Sequence, residues 1–331
     1  MQVFTNPTHS EIKMAAKSLR DGNLVAFPTE TVYGLGADAV NEKAVSRVYS
    51  VKGRPIDHPL IVHISSAKQL GKWAIDIPDY ATKLANKFWP GPMTLILKKS
   101  ELAQEFITGG QGSIGLRIPD QQVALKLLEE FEGLGGLGVA APSANRFGSI
   151  SPTTASAVEI ELSSFLGSED LILDGGQCTI GVESSIIDCT KATPVVLRPG
   201  AVSVEMIESA TGFGILLNSI KSDTKASGLL ETHYAPKAQV TLGMRTEPGD
   251  GFLAFADIPT PIGTVRLASP KNNEEYAQVL YSALRLGDQF GLKHIVVVEP
   301  AGEGLALAIR DRLNKAASGK TRRHEALDLQ P

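Results

Sequence analysis

Two basic residues and a histidine occupy a short segment that contains two prolines. In KGRPIDHP, Lys52 and Arg54 precede Pro55, and His58 precedes Pro59. Because prolines restrict the backbone, we expect an exposed but stiff loop that can clamp an anion such as a phosphate. A second interpretation stays open, because Lys and Arg at the end of a helix also offset the helix dipole.

Other basic side chains occur in predicted strands. Arg117 alternates with apolar residues in SIGLRIP (113–119). A guanidinium in such a strand needs a carboxylate or phosphate partner, and the sequence leaves open whether that partner is a protein acid or a ligand. His63 lies in an otherwise apolar strand, which favours a buried core histidine over a metal ligand. Arg198 ends a further strand at LRPG.

Hydroxyl groups and glycines cluster in three other segments. PTETVYGLGAD (28–38) is predicted to be a loop after a strand, and APSANRFGSISPT (141–153) and GVESS (181–185) also follow predicted strands. The residues that stand out in them are Thr29, Thr31, Tyr33, Gly34 and Gly36, then Ser143, Asn145, Ser149 and Ser151, and then Ser184 and Ser185. Such segments can form a polar pocket in which a ligand approaches the backbone, although helix caps account for some of these residues.

Several reaction classes are disfavoured by the motifs that the sequence lacks. It contains no P-loop, HExxH, EF-hand or GxSxG motif, and Cys178 and Cys189 are not in CxxC spacing. No metal site built from protein side chains is expected. Cations combined with hydroxyls and glycines are typical of a site that binds a polyanion and stabilises charge at phosphorus. The sequence therefore predicts nucleotidyl transfer.

The composition is that of an ordinary globular protein. The 331 residues are 43% hydrophobic and 21% charged, with a net charge of -4. The length predicts about two domains, and the acidic balance disfavours a protein that coats nucleic acid. No apolar run approaches the roughly 18 residues of a membrane span. With no signal peptide and two cysteines, we expect a cytoplasmic protein that does not enter a membrane.

The hydrophobic pattern predicts two α/β units. Strands and helices are mixed through residues 1–200, beginning with a helix over 8–21 that a Thr8–Glu11 capping box starts. Residues 214–236 have the composition of a linker. The second, smaller unit is predicted to be Rossmann-like, with strands at 240–242, 252–255, 264–267 and 295–298 and helices at 274–290 and 305–316.

Six basic residues lie close to the end of the sequence. We interpret them as the exposed face of a helix that runs into a frayed tail. They are Arg310, Arg312, Lys315, Lys320, Arg322 and Arg323.

Several of these segments together resemble one family. PTETVYGLGAD, KGRP, FWPGPMTLIL (88–97), GSIGLRIP and APSAN followed by SP are similar to the YrdC-type threonylcarbamoyl-AMP synthases (L-threonylcarbamoyladenylate synthases). HYAP (233–236) and the second unit resemble the longer, two-domain type. The resemblance implies a catalytic domain over 5–200 with a twisted, open, barrel-like sheet, a linker or lid over 201–236, and a Rossmann-like domain over 237–331.

The resemblance also implies a reaction. L-threonine, bicarbonate or CO2, and ATP with Mg2+ would give threonylcarbamoyl-AMP and pyrophosphate. A downstream transferase complex would then use the product to modify adenosine 37 of ANN-reading tRNAs. The implied catalytic pair is Lys52 and Arg54. The implied threonine ligands are Thr31, His63, Arg117, Ala141 and Ser184. The implied ATP ligands are Lys52, Arg54, His58, Ser113, Ser143, Asn145, Ser151, Arg198 and Tyr234.

Two alternatives concern the cavity and its cover. The positive cavity of such a fold could hold double-stranded RNA or tRNA, as a binding module or as weak RNA binding beside the enzymatic activity. Pro236 favours an extended Ala235, which would keep Tyr234 out of a helix. We therefore expect the linker to fold back over the cavity, with Tyr234 closing on the nucleotide; a passive tether is the alternative.

Overall fold

The computed structural model describes residues 1–215, 224, 226, 228 and 234–327, with side chains described as far as residue 318. The strands are β1 (Gln2–Thr5), β2 (Val25–Phe27), β3 (Gly34–Asp38), β4 (Ile61–His63), β5 (Met93–Lys98), β6 (Ser113–Arg117), β7 (Val139–Ala140), β8 (Leu171–Asp174), β9 (Ser185–Asp188), β10 (Val195–Arg198), β11 (Gln239–Leu242), β12 (Gly251–Leu253), β13 (Val265–Ala268) and β14 (His294–Val297).

The helices alternate irregularly with these strands. They are α1 (His9–Arg20), α2 (Glu42–Lys52), α3 (Leu70–Trp73), α4 (Asp79–Phe88), α5 (Glu105–Thr108), α6 (Gln122–Gly133), α7 (Ala155–Leu162), α8 (Val204–Thr211), α9 (Asn273–Gln289) and α10 (Leu305–Leu327). A short 3-10 turn, Ala67–Gln69, precedes α3.

The larger sheet is mixed and open. Its strand order is β1-β8-β2-β3-β7-β4-β6-β5-β9-β10. It contains both parallel pairs, such as β4 with β6, and antiparallel pairs, such as β5 with β6. Within the part of the chain that the structure describes, no pairing joins β1 to β10 and the sheet does not close. The expected open α/β sheet is confirmed.

Local capping explains where α1 and α2 begin and end. Thr8 and Glu11 form the predicted capping box, in which the Glu11 carboxylate accepts a hydrogen bond from Thr8 N at 2.7 Å. Asn41 caps α2, and Gly53 ends it with a left-handed φ of 61° that favours glycine. Since the chain turns at Gly53, Lys52 stays in the last helical turn and Arg54 lies beyond it.

The sequence predicts a loop over the whole of 28–38, but only the first part of this segment is a loop. Residues 34–38 form β3, which pairs with β2 and β7. Residues 28–33 are the connection of a β-hairpin, and Thr29 organises it by donating to Val32 O at 2.7 Å and accepting from Thr31 N at 3.1 Å. The hairpin fixes Thr31 at one end of the sheet.

The smaller sheet is parallel, in the order β11-β14-β12-β13. Its core is shared with the larger domain, because Val32, Ile150 and Val182 pack in the same apolar cluster as Tyr281 and other residues of α9 and α10. The two domains therefore meet through a buried, partly apolar interface. Within the described residues, no helix has the length and apolar character needed to cross a bilayer.

Candidate functional site

A cavity of about 560 Å3, counted with the open space at its mouth, lies beside the ends of several strands of the larger sheet. Its lining residues come from well-separated parts of the chain: Thr29, Thr31, Val32, Tyr33, Gly34, Arg54, Ile61, His63, Arg117, Ala141, Pro142, Ser143, Glu183, Ser184, Arg198, Gly228 and Tyr234. All five predicted threonine ligands are among them, with four of the nine predicted ATP ligands.

Arg117 has a protein acid as its partner. Its Nη2 lies 2.6 Å from Glu30 Oε1 and donates to Thr31 Oγ1 at 2.9 Å. Glu30 is also held from its other oxygen, which accepts from Asp120 N at 3.0 Å. Arg117 Nε is buried and has no hydrogen-bond partner among the described residues. Glu30 and Thr31 thus orient the guanidinium through Nη2 and leave the Nε N–H unused.

His63 is a neutral, buried group beside Arg117. Burial, together with the Arg117 charge, lowers the pKa of His63 to about 3. Its ring packs edge-on against Phe27, and its Nδ1 has no partner in the described structure. A neutral imidazole with an unpaired nitrogen can bind a polar substrate group without adding charge.

Ser184 and Arg198 form one hydrogen-bonded unit. Arg198 donates from Nε and Nη2 to Ser184 O, at 3.0 and 2.8 Å, and Ser184 Oγ lies 2.8 Å from Thr94 Oγ1. The guanidinium is therefore oriented by the backbone of the turn that carries the serine. Ser184, a predicted threonine ligand, and Arg198, a predicted ATP ligand, are therefore held together by the same hydrogen bonds.

Lys52 and Arg54 are not exposed, which corrects the expectation of an exposed loop. They are only 2% and 7% exposed. The Lys52 ammonium donates to Ser143 O and Asn145 O, both at 2.6 Å. Burial and the nearby Arg54 lower the pKa of Lys52 well below its usual range. Lys52 supports the 143–145 loop from behind, and Arg54 reaches the cavity.

Two further predicted ATP ligands lie in the same loop region without lining the cavity. Asn145 donates to Arg146 O and Ser149 O, both at 2.8 Å, and its Oδ1 has no partner among the described residues. Ser151 donates to Glu183 Oε1 at 2.6 Å.

The remaining two predicted ATP ligands lie apart from the main cavity. Ser113 contributes to a second, smaller pocket with Ile186 and Ala226. The His58 ring contacts Phe147, with ring centres 5.4 Å apart, and its backbone oxygen accepts from Tyr49 Oη at 3.0 Å. The sequence prediction for these two residues stays a prediction.

Two described residues of the connecting segment, Gly228 and Tyr234, line the cavity. Tyr234 is 1% exposed, lines the cavity and has a left-handed φ of 63°. Gly228 has a left-handed φ of 77°, which favours glycine, and a Cβ there would crowd Tyr234 Oη and Arg198 Nη1. Most of the linker-like stretch 214–236 falls on 216–223, 225, 227 and 229–233, which lie outside the described residues.

The donor set of the cavity fits an anion better than a metal. Among the described residues, no three His, Cys, Asp or Glu side chains lie close enough together to hold a metal ion. Glu30 pairs with Arg117, and Glu183 pairs with Arg312. The residues present do not fit a resident Mg2+, and the arginines fit phosphate or carboxylate oxygens.

Comparisons with known proteins agree with the motifs. Residues 17–200 match the family model described as "Telomere recombination", which joins Sua5, YciO and YrdC, and residues 202–318 match "Threonylcarbamoyl-AMP synthase, C-terminal domain". The chain is 41% identical to the Pyrococcus abyssi threonylcarbamoyl-AMP synthase, covering 93% of this chain and 94% of that protein. The chain belongs to the two-domain threonylcarbamoyl-AMP synthase family.

Other members of this family give the same picture. The Bacillus subtilis threonylcarbamoyl-AMP synthase is 38% identical, with 94% of each chain covered. The crystal structure of P. abyssi Sua5 complexed with L-threonine matches with a TM-score of 0.85 at 39% identity, covering 97% of this chain and 98% of that one. The family resemblance that the motifs suggested is confirmed.

In this member of the threonylcarbamoyl-AMP synthase family, the structure shows residues at the cavity that the sequence analysis did not predict. Glu30 and Glu183 both bind arginines at the cavity, and the need of Arg117 for an acid was the one available signal. Arg312 was interpreted as part of an exposed helix face, but its side chain is 0% exposed and pairs with Glu183 at 3.0 Å. That interpretation was wrong because α10 packs against the catalytic domain at this position.

Proposed function

We propose that the protein condenses L-threonine, bicarbonate or CO2, and ATP into threonylcarbamoyl-AMP and pyrophosphate. One observation carries the proposal: five side chains suited to threonine, on separate stretches of chain, line the same cavity as Arg54 and Arg198. A carboxylate-bearing amino acid and a triphosphate would both find cationic partners there.

Threonine recognition would rest on Arg117 and the hairpin 28–33. Arg117 Nε, left unpaired by the Glu30 contact, would donate to the threonine carboxylate. Thr31 and Ser184 would bond the amine and hydroxyl groups. Valine would then be rejected, because it leaves hydrogen-bonding groups of the site unpaired.

The chemical step would proceed without a strong base. The threonine amine and bicarbonate form N-carboxy-threonine and water. A carbamate oxygen then attacks the α-phosphorus, the bond from that phosphorus to the bridging oxygen breaks, and pyrophosphate leaves with the electron pair. Arg54 and Arg198 would stabilise the charge that develops on the phosphates, and Lys52 would fix the 143–145 loop behind them.

Other assignments belong to the same proposal. The reaction class is nucleotidyl transfer, and Mg2+ would enter as part of the ATP substrate. The product would pass to a tRNA-modifying transferase complex in the cytoplasm. RNA binding as the main role is not favoured, because the relatives that match most of the chain are named threonylcarbamoyl-AMP synthases.

Pyrophosphate release tests the proposal. Purified protein is incubated with ATP and Mg2+, with threonine and bicarbonate each omitted in turn. We expect release that requires both, and valine should not replace threonine. Release that is indifferent to threonine and bicarbonate would overturn the assignment.

A further inference from the structure

Glu183 lies where the second domain touches the catalytic domain. Its Oε1 accepts from Ser151 at 2.6 Å, and its Oε2 accepts from Tyr281 Oη at 2.8 Å and Arg312 Nε at 3.0 Å. Ser151 belongs to the catalytic domain, whereas Tyr281 lies on α9 and Arg312 on α10. Two side chains of the second domain therefore hold a carboxylate that lines the cavity.

Arg312 also donates hydrogen bonds to the backbone of two separate turns beside the cavity. Its Nη1 donates to Pro199 O at 2.7 Å, and its Nη2 donates to Glu183 O at 3.2 Å. Pro199 directly follows Arg198, and Glu183 directly precedes Ser184. One buried guanidinium thus joins the two turns that carry these predicted ligands, and Arg198 itself bonds Ser184 O.

The ion pair persists at neutral pH. Burial favours the neutral acid, but the Arg312 and Arg198 charges outweigh it and lower the pKa of Glu183 to about 2. Removing Arg312 would leave a buried Glu183 carboxylate without its guanidinium partner, whereas Arg312 also pairs with Asp311 at 2.9 Å and would keep that partner if Glu183 were removed. Because breaking the Glu183–Arg312 ion pair costs free energy, the pair can hold the turn that carries Glu183 within a narrow range of positions.

We propose that Arg312 and Tyr281 are positioning residues for the reaction, acting through Glu183 to hold Ser184 and Arg198 in a productive geometry. The inference rests on the proposed function. It assigns the second domain a part in substrate binding and turnover, although neither Arg312 nor Tyr281 lines the cavity.

Conservative variants of the full-length protein separate positioning from stability. Arg312→Lys keeps the charge but loses the fork that reaches Glu183 and Pro199, and Tyr281→Phe keeps the packing but loses the bond to Glu183. Arg285→Lys is the matched control. Arg285 lies on α9, as Tyr281 does, and crosses the domain interface to Ile150 O at 3.0 Å and Glu161 at 3.5 Å, but neither of these partners lines the cavity.

Steady-state rates of pyrophosphate release are measured with the threonine and ATP concentrations varied in turn. Calorimetry gives the affinity for a non-hydrolysable ATP analogue, and thermal unfolding gives the melting temperature. We expect Arg312→Lys to raise the KM of both substrates at least about tenfold, as for loss of a charge-assisted hydrogen bond, and Tyr281→Phe to raise them less. Arg285→Lys should keep both KM values. A merely structural role would lower the amount of active enzyme at unchanged KM.

The outcomes distinguish this inference from the proposed function. If wild-type protein releases pyrophosphate and both variants retain its KM values and analogue affinity, the positioning role is overturned. If wild-type protein lacks threonine-dependent release, the proposed function fails. The analogue affinities of Arg312→Lys and Arg285→Lys then still decide whether Arg312 orders the Arg198 turn.

Discussion

At the scale of single residues, Arg117 has a structural partner and, under the proposed function, also binds the threonine carboxylate. Its Nη2 is committed to Glu30 and Thr31, and its Nε has no partner in the described structure. The two interpretations that the sequence left open are therefore compatible, because a guanidinium carries five N–H donors. Deleting the side chain would expose the buried Glu30 charge and confound any kinetic result.

Arg117→Lys avoids that difficulty. We expect the KM for threonine to rise about 10- to 100-fold while the KM for ATP changes little, because the charge stays beside Glu30 but the planar fork is lost. Steady-state kinetics with each substrate varied in turn measure the split. Arg20→Lys, at the Arg20–Asp38 ion pair, serves as the control. Equal changes in both KM values would argue against a threonine-specific contact.

His63 makes a prediction about acid stability. Burial lowers its pKa from 6.5 to about 3, so below pH 6.5 the unfolded chain binds a proton that the native state excludes. Stability is then lost as pH falls from 6.5 towards 3, by about 1.4 kcal/mol per pH unit from this group. In urea unfolding, the unfolding free energy of His63→Asn should fall less steeply than that of the wild type between about pH 6 and pH 4. Exposed His9, as His9→Gln, is the control; parallel curves for His63→Asn and wild type would contradict the assignment.

At the scale of elements, the end of α2 supports the loop that follows β7. Lys52→Ala leaves Ser143 O and Asn145 O without their donor, which should cost about 1–3 kcal/mol of unfolding free energy for each buried acceptor. The KM for ATP should rise because the loop is no longer fixed. Chemical denaturation and kinetics check both effects, with Lys83→Ala on the exposed face of α4 as the control. Unchanged stability with lost turnover would indicate a phosphate contact alone.

Elements set by local chemistry were predictable, and those set by distant contacts were not. The caps of α1 and α2 follow from Thr8 and Asn41 within a few residues. The strand β3 was missed because its two glycines disfavour a strand, and its pairing with β7 involves residues about a hundred positions away. The burial of Arg312 depends on Glu183, which lies 129 residues earlier.

At the scale of the whole molecule, the site depends on both domains. The catalytic domain and the connecting segment line the cavity, and the second domain contributes Tyr281 and Arg312 to Glu183. The apolar cluster that contains Tyr281 also contains Val182, next to Glu183. Because apolar and ionic contacts both cross the interface, the two domains should unfold together.

Leu280→Ala on α9 tests that coupling. Leu280 is fully buried in the second domain, and its truncation should cost about 2–5 kcal/mol. Both tryptophans, Trp73 and Trp89, lie in the catalytic domain. If the domains unfold as one unit, their fluorescence transition in urea should shift to lower denaturant together with the far-UV circular dichroism transition. Ile262→Ala, at a side chain that is 99% exposed in the same domain, should shift neither. An unmoved fluorescence transition beside an earlier dichroism transition would mean that the domains unfold independently, and that the second domain holds Glu183 only loosely.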